Sequence, residues 1–293
     1  MDAHKAIITN IFNNSTLVEV PFFQRSYVWR EDLWSRLLDD MEYVAKTRKP
    51  HFLGSIILKE GRKPRPGEQF ATCKRVVDGQ QRLTTFLIFL KVLCMKLNQT
   101  VMFDYQFRIM GQEIALRHGK NDVVAFEKIM AAKELGILDN PVPQSRIIEA
   151  YNYFVENIDE SKLDIMAIIM NTQFVQIDLD ADEDEQQIFD TINSLGVNLT
   201  TSELLKNYFF SRETITDYEN RWAAVFEKDD ETKTYWDAEI ETGRIKRAMI
   251  DIFFDSFFQI FIQDKRYNIT NEDKIMYARV DKLALSYQHF INT

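Results

Sequence analysis

The stretch Val76-Val77-Asp78-Gly79-Gln80-Gln81-Arg82-Leu83-Thr84-Thr85 runs from an apolar β-branched pair through a glycine turn into a new pattern. From Leu83 to Leu97 the apolar residues Leu83, Phe86, Leu87, Leu90, Leu93, Cys94 and Leu97 recur at helical spacing, so a long helix is expected just after Asp78-Gly79. Strand, turn and helix in that order gather unpaired backbone N–H groups and the positive end of the helix dipole at the first turn, which suits a phosphate. Arg82 could add a charged bidentate contact, and Gln80, Gln81 and Thr84 are candidate polar contacts around it. Asp78, at the strand end, is placed to hold Mg²⁺ directly or through water, or to orient an attacking water. The same letters also spell a structural device: Asp78 with Gln81 three residues on satisfies a D-x-x-Q capping box, with Gly79 permitting the turn and Arg82 left exposed.

Upstream, Leu17 to Pro21 is a short strand-like run, Glu31 to Val44 has helical spacing, Phe52 to Leu58 is β-branched and apolar, and Lys74 to Val77 is extended after a basic Pro/Gly loop at Gly61 to Gly67. The segment Pro21-Phe22-Phe23-Gln24-Arg25-Ser26-Tyr27-Val28-Trp29 sets Gln24 and Arg25 among aromatics, with Tyr27 and Trp29 available for stacking. It reads equally as an aromatic cluster at the core edge. If it serves a site, Gln24 and Arg25 should lie within side-chain reach of the Gly79 turn.

Downstream, residues 98 to 172 read as a mainly helical insertion broken at Gly111, Gly119 and Asp139-Asn-Pro-Val-Pro. Phe174 to Leu179 alternates like a strand, Asp182 to Asn193 reads as a helix, and Thr200 with Glu203 makes a capping box for a helix through Phe210. Tyr218 to Phe226 and Arg244 to Gln263 read as helices, the latter rich in phenylalanine, a stripe that suits a core. The expectation is an α+β fold, a small mixed sheet completed by Phe174 to Leu179 with a large, mainly helical remainder. Residues 1–210 form one domain with the insertion at about 98–172, and 211–293 a helical bundle extension.

The 293 residues carry a net charge of −9, yet residues 1–85 hold 14 Lys and Arg against 10 Asp and Glu, and the rest 22 against 35. An acidic majority repels a nucleic-acid backbone, so DNA would be met through a local basic face or a partner. Two isolated cysteines, Cys73 and Cys94, and four scattered histidines suggest no structural metal. The carboxylates Asp178, Asp180, Asp182 and Asp184 lack the Gly and Glu that a calcium loop needs at its sixth and twelfth positions, which are Glu183 and Phe189. No secretory signal or membrane span is visible, so a cytoplasmic protein is expected. P-loop, zincin and hydrolase-elbow motifs are absent.

In order and spacing, V-P-F-F-Q-R-S-Y-V-W, F-L-G-S-I at Phe52 to Ile56 and V-V-D-G-Q-Q-R-L-T-T resemble the N-terminal domain of GmrSD-type, modification-dependent restriction proteins, a relative of the ParB and sulfiredoxin fold. Ile188 to Asn207 is similar to that family's F-x-x-x-N-x-x-G-x-x-L signature, with Phe189, Asn193, Gly196 and Leu199 at its fixed positions and Lys206 beyond it. The resemblance implies a nucleoside-triphosphate-binding and hydrolysing module of phage defence, with Mg²⁺ as cofactor, that gates a DNA nuclease. Asp78 and Arg82 would be catalytic, Gln24, Arg25, Gly79, Gln80, Gln81 and Thr84 would bind nucleotide, and Tyr27, Trp29, Asn193 and Lys206 would be secondary contacts. The family's nuclease is commonly a C-terminal His-Asn-His domain, but the last 80 residues hold one histidine, His289, so a further domain or a separate partner is expected to supply it. The alternative is a non-enzymatic sensor of modified DNA or of a protein partner. Asn193 to Lys206 could also be a DNA-reading helix-turn-helix or a plain structural turn.

Overall fold

The computed structural model describes residues 1–180 apart from 22, 23, 25, 65, 120, 121 and 141–144, and then 183, 206, 210, 215–242, 245–261, 287 and 290. Packing divides the chain into two units, Met1–Glu185 and Gln186–Thr293. The fold is α+β, with a mixed six-stranded sheet in the first unit.

That sheet is built from β1 (Asp2–Ile7), β2 (Thr16–Glu19), β3 (His51–Glu60), β4 (Thr72–Asp78), β7 (Leu116–Arg117) and β8 (Thr172–Leu179), in the order β1-β8-β3-β4-β2-β7. β3 pairs antiparallel with β4 and parallel with β8, whereas β2 runs parallel to both β4 and β7. The strand expected at Phe174 to Leu179 is therefore one of the two neighbours of β3. Between β1 and β2 lies the short α1 (Ile8–Ile11), and α2 (Glu31–Thr47) buries Trp34, Leu37, Leu38, Met41 and Val44 at the expected spacing.

The helix after the glycine turn, α3 (Gln80–Lys96), is buried on every side from Leu83 to Met95. Its Leu and Phe positions cover more than one stripe, so no single face is left for solvent. Even Lys91 is buried, its ammonium 5.3 Å from the centre of the Phe103 ring, and burial lowers its pKa. Around α3 pack α4 (Thr100–Phe107), α5 (Val123–Ala131), α6 (Arg146–Asn157) and α7 (Ile165–Asn171).

One expectation is corrected, and the structure adds strands that the sequence did not show. Residues 2–7 form an edge strand that the sequence did not announce, because four of its six side chains face solvent and no apolar alternation survives. The 98–172 segment is mainly helical, as expected, and it also carries short strands that were not: β5 (Arg108–Ile109) and β6 (Glu113–Ile114) make a hairpin whose turn uses Gly111 at φ +73°, and β7 joins the main sheet. Two-residue strands are too short to carry a period. Arg244 to Gln263 is not one helix, because Ile245–Ala248 pairs antiparallel with Glu239–Thr242 before the last helix begins at Met249.

In the second unit Tyr218–Ala223 is a π-helical turn continued by Ala224–Phe226, so the helix expected at Tyr218 to Phe226 is present. The element order then runs α8 (Asp230–Asp237), β9 (Glu239–Thr242), β10 (Ile245–Ala248) and α9 (Met249–Phe261). Among the described residues Phe210, Tyr218, Trp222, Phe226, Phe254 and Tyr287 are its buried aromatics; of the phenylalanine stripe, Phe254 is buried and Phe253 and Phe257 are half-buried. The elements expected at Asp182 to Asn193 and in the Thr200–Glu203 capping box lie outside the described residues. No helix among the described residues is long and apolar enough to cross a membrane.

Candidate functional site

β4 ends at Asp78, Gly79 turns the chain at φ +98° and ψ 4°, and α3 begins at Gln80. A left-handed φ strains any residue with a Cβ. Here a Cβ would also stand 2.6 Å from Ile56 Cγ2, on the neighbouring strand, so glycine is required twice over.

The capping box does not form. Among the described residues no side chain caps α3, and the Gln81 amide faces the Pro21–Trp29 loop, where its Oε1 accepts from the Val28 N–H (2.9 Å) and its Nε2 donates to the Ser26 carbonyl (3.3 Å). Arg82 lies across β3. Its Nη1 donates to the Ser55 carbonyl (2.7 Å) and stands 3.5 Å from Asp78 Oδ2, with both side chains about 30% exposed (31% and 27%). The room for that arginine comes from Gly54, at φ +125° beside the bulge of β3, where a Cβ would meet Arg82 Nε at 2.8 Å. The F-L-G-S-I motif is thus the seat of the arginine, a role its spacing does not announce.

The two motif segments do meet. Tyr27 Oη accepts from Trp34 Nε1 (2.8 Å) and lies 2.6 Å from Thr85 Oγ1, which donates to the Gln81 carbonyl (2.7 Å). The Tyr27 N–H donates to Asp122 Oδ2 (2.7 Å), and burial pushes the Asp122 carboxyl up against the opposing pull of that N–H. One turn face of α3 is therefore stitched to the loop by Gln81 and Thr85.

Not every expected contact falls on an open surface. Gly79 and Gln80 are at the turn, with the Gln80 side chain buried. Tyr27 and Thr84 are buried at 2% and 0% exposure, so neither meets a ligand directly in this conformation, and each acts on the turn from behind. Gln81 spends its amide on the loop. Gln24 is half-buried, with its N–H on the Pro21 carbonyl, and its amide is not among the described partners of the turn. Trp29 is half-buried against the core. Arg25 and Asn193 lie outside the described residues. Lys206 belongs to the second unit, where its buried ammonium is committed to the half-buried Glu227 (2.7 Å), which Trp222 Nε1 (3.2 Å) and the Tyr218 hydroxyl also approach.

Among the described residues no group of three or more His, Cys, Asp or Glu side chains is arranged to hold a metal ion. Mg²⁺, however, commonly takes one or two carboxylates and completes its shell with water and substrate phosphate. A partly exposed Asp78 beside a helix N-terminus fits that pattern.

A mixed sheet that delivers a carboxylate at a strand end, followed by a glycine turn and an arginine on the first turn of a buried helix, defines an α+β module organised around one turn. The chain belongs to a restriction endonuclease family: the GmrSD restriction endonuclease, N-terminal domain, matches residues 8–210, which include both motif segments and the turn. No curated protein matches the chain. The family gives the chain a role in restriction.

Proposed function

We propose that the first unit binds a nucleoside triphosphate at the Asp78–Arg82 turn and hydrolyses it, and that turnover gates a DNA nuclease carried by another domain or a partner subunit. The observation that supports this most is the N-terminus of α3, which no side chain among the described residues caps, with Asp78 and Arg82 side by side at its mouth. Backbone N–H groups of the first turn receive phosphate oxygens, and Arg82, seated on Ser55, offsets charge that grows on them. Asp78 would hold Mg²⁺, which when bound neutralises phosphate charge. Gln24, Arg25 and Gln80 are further donors, and Trp29 is a surface for the base.

Calorimetric titration with each of the four nucleoside triphosphates, with and without Mg²⁺, tests the reading. At least one is expected to bind in a Mg²⁺-dependent way and with little salt dependence. A chain that binds none of them but binds DNA with an affinity that collapses between low and moderate salt is a sensor instead.

A further inference from the structure

Two consecutive threonines follow the turn, and both fold back on it. Thr84 Oγ1 donates to the Gln80 carbonyl (2.8 Å) and Thr85 Oγ1 to the Gln81 carbonyl (2.7 Å), so each hydroxyl has used its only proton on the first turn of α3. Each must then accept its second hydrogen bond. Thr85 accepts from Tyr27, the link already described. Thr84 stands 3.0 Å from Nε2 of His118, a residue next to β7 in the segment where the sequence showed no chemical motif.

Because Thr84 has no proton left, the bond requires His118 to carry its hydrogen on Nε2. That leaves Nδ1 as a bare acceptor, and Nδ1 is buried with no hydrogen-bond partner among the described residues. The ring is wedged against Phe126, with centroids 4.4 Å apart, and burial lowers its pKa to about 3, so it is neutral at physiological pH. A buried imidazole with one nitrogen unsatisfied is costly, and an apolar residue would fill the same place without that penalty. What the imidazole supplies is a single hydrogen bond to the residue that grips the candidate phosphate cradle.

We infer that His118 is a positioning residue of the Asp78–Arg82 turn, acting through the Thr84 hydroxyl on the Gln80 carbonyl to hold the first turn of α3 in register for the phosphate. This rests on the nucleotide reading above for its purpose, though not for its geometry. The chain of bonds fixes the orientation of the Thr84 hydroxyl, the Thr84 hydroxyl fixes the Gln80 peptide, and the peptide units of the first turn aim its N–H groups. Tyr27 performs the same service on the adjacent carbonyl through Thr85, so the turn is held at two successive peptides.

The test uses the full chain with His118→Leu and Thr84→Val, which delete the bond, and His118→Gln and Thr84→Ser, which keep a donor and a hydroxyl. Two readouts are taken. Hydrogen exchange at the amides of Leu83 to Thr85 is expected to quicken about tenfold in the two deleting variants and to return toward wild type in the two conservative ones, with the C-terminal half of α3 unchanged. Mg²⁺-dependent phosphate release is expected to lose about tenfold in kcat with KM within about threefold, again restored by His118→Gln and Thr84→Ser. Exchange that is unchanged, or that quickens equally along all of α3, overturns the positioning role, as does a loss that the conservative variants fail to restore. A wild-type chain that turns over no nucleotide overturns the nucleotide reading, and the exchange data alone then uphold or overturn the role of His118.

Discussion

Replacing Gly79 by alanine separates two costs that the turn imposes. The first is conformational: at φ +98° a Cβ crowds the following peptide, a strain of about 1–2 kcal/mol for one residue. The second is steric, since the added carbon would lie 2.6 Å from Ile56 Cγ2 and 3.2 Å from Ile56 Cα, on a strand that cannot yield without disturbing its ladder with β4 and β8. Overpacking of that kind costs about 1–3 kcal/mol. The sum, about 2–5 kcal/mol, lowers the melting temperature of a unit this size by about 4–20 °C. Gly67 supplies the control, because it has a similar φ of +94° and nothing within 4 Å of its virtual Cβ. Gly67→Ala should carry only the conformational part, about 2–8 °C. Thermal unfolding of the two variants, followed by circular dichroism, measures the difference. If Gly79→Ala melts no lower than Gly67→Ala, the close approach of the turn to β3 is not a constraint and the account of why glycine stands there fails.

Two further outcomes follow from the stitching around α3. His118 is held neutral with a folded pKa of about 3 against 6.5 when unfolded, so below pH 6.5 the unfolded chain takes up a proton that the folded one refuses. Stability should therefore fall by about 1.4 kcal/mol per pH unit from that group between about pH 6.5 and 3. Asp122, whose pKa burial raises, works with the opposite sign just above its ordinary range, and urea midpoints of His118→Gln against wild type across this window isolate the histidine, whose slope should vanish in the variant. Tyr27→Phe strands the indole N–H of Trp34 and removes the donor to Thr85, a loss of about 2–4 kcal/mol, and Trp34→Phe added to it should cost much less than it does alone. Additive losses would show that the three side chains do not act as one network.

The central turn was legible because its parts obey different periods. Val76-Val77 with Asp78 ends one pattern, Gly79 breaks the chain, and the 3.6-residue recurrence from Leu83 begins another, so strand, turn and helix were each readable without the others. The choice between capping box and ligand site was not legible, since the letters of Asp78 and Gln81 serve both. It is the loop at Ser26 and Val28 that takes the Gln81 amide, and nothing local to the motif says so. His118 and Asp122 were hidden for a related reason: each is a single polar residue in an unpatterned segment, and its role exists only because β7 and the start of α5 are brought beside α3. Gly54 stood inside a quoted motif, yet the side chain it makes room for comes from Arg82, 28 residues away.

The claim that the Asp78–Arg82 turn is a phosphoryl site is tested most directly by measuring phosphate release from Mg²⁺-nucleoside triphosphate by wild type, Asp78→Ala and Arg82→Ala, with melting temperatures of the same preparations. Arg82 and Asp78 are partly exposed at the surface of a core that neither builds, so both variants should stay folded, while each loses at least about 10²-fold in turnover as a preorganised charge is removed. Folded variants that release phosphate as fast as wild type, or a folded wild type that releases none from any of the four nucleotides, would contradict the account.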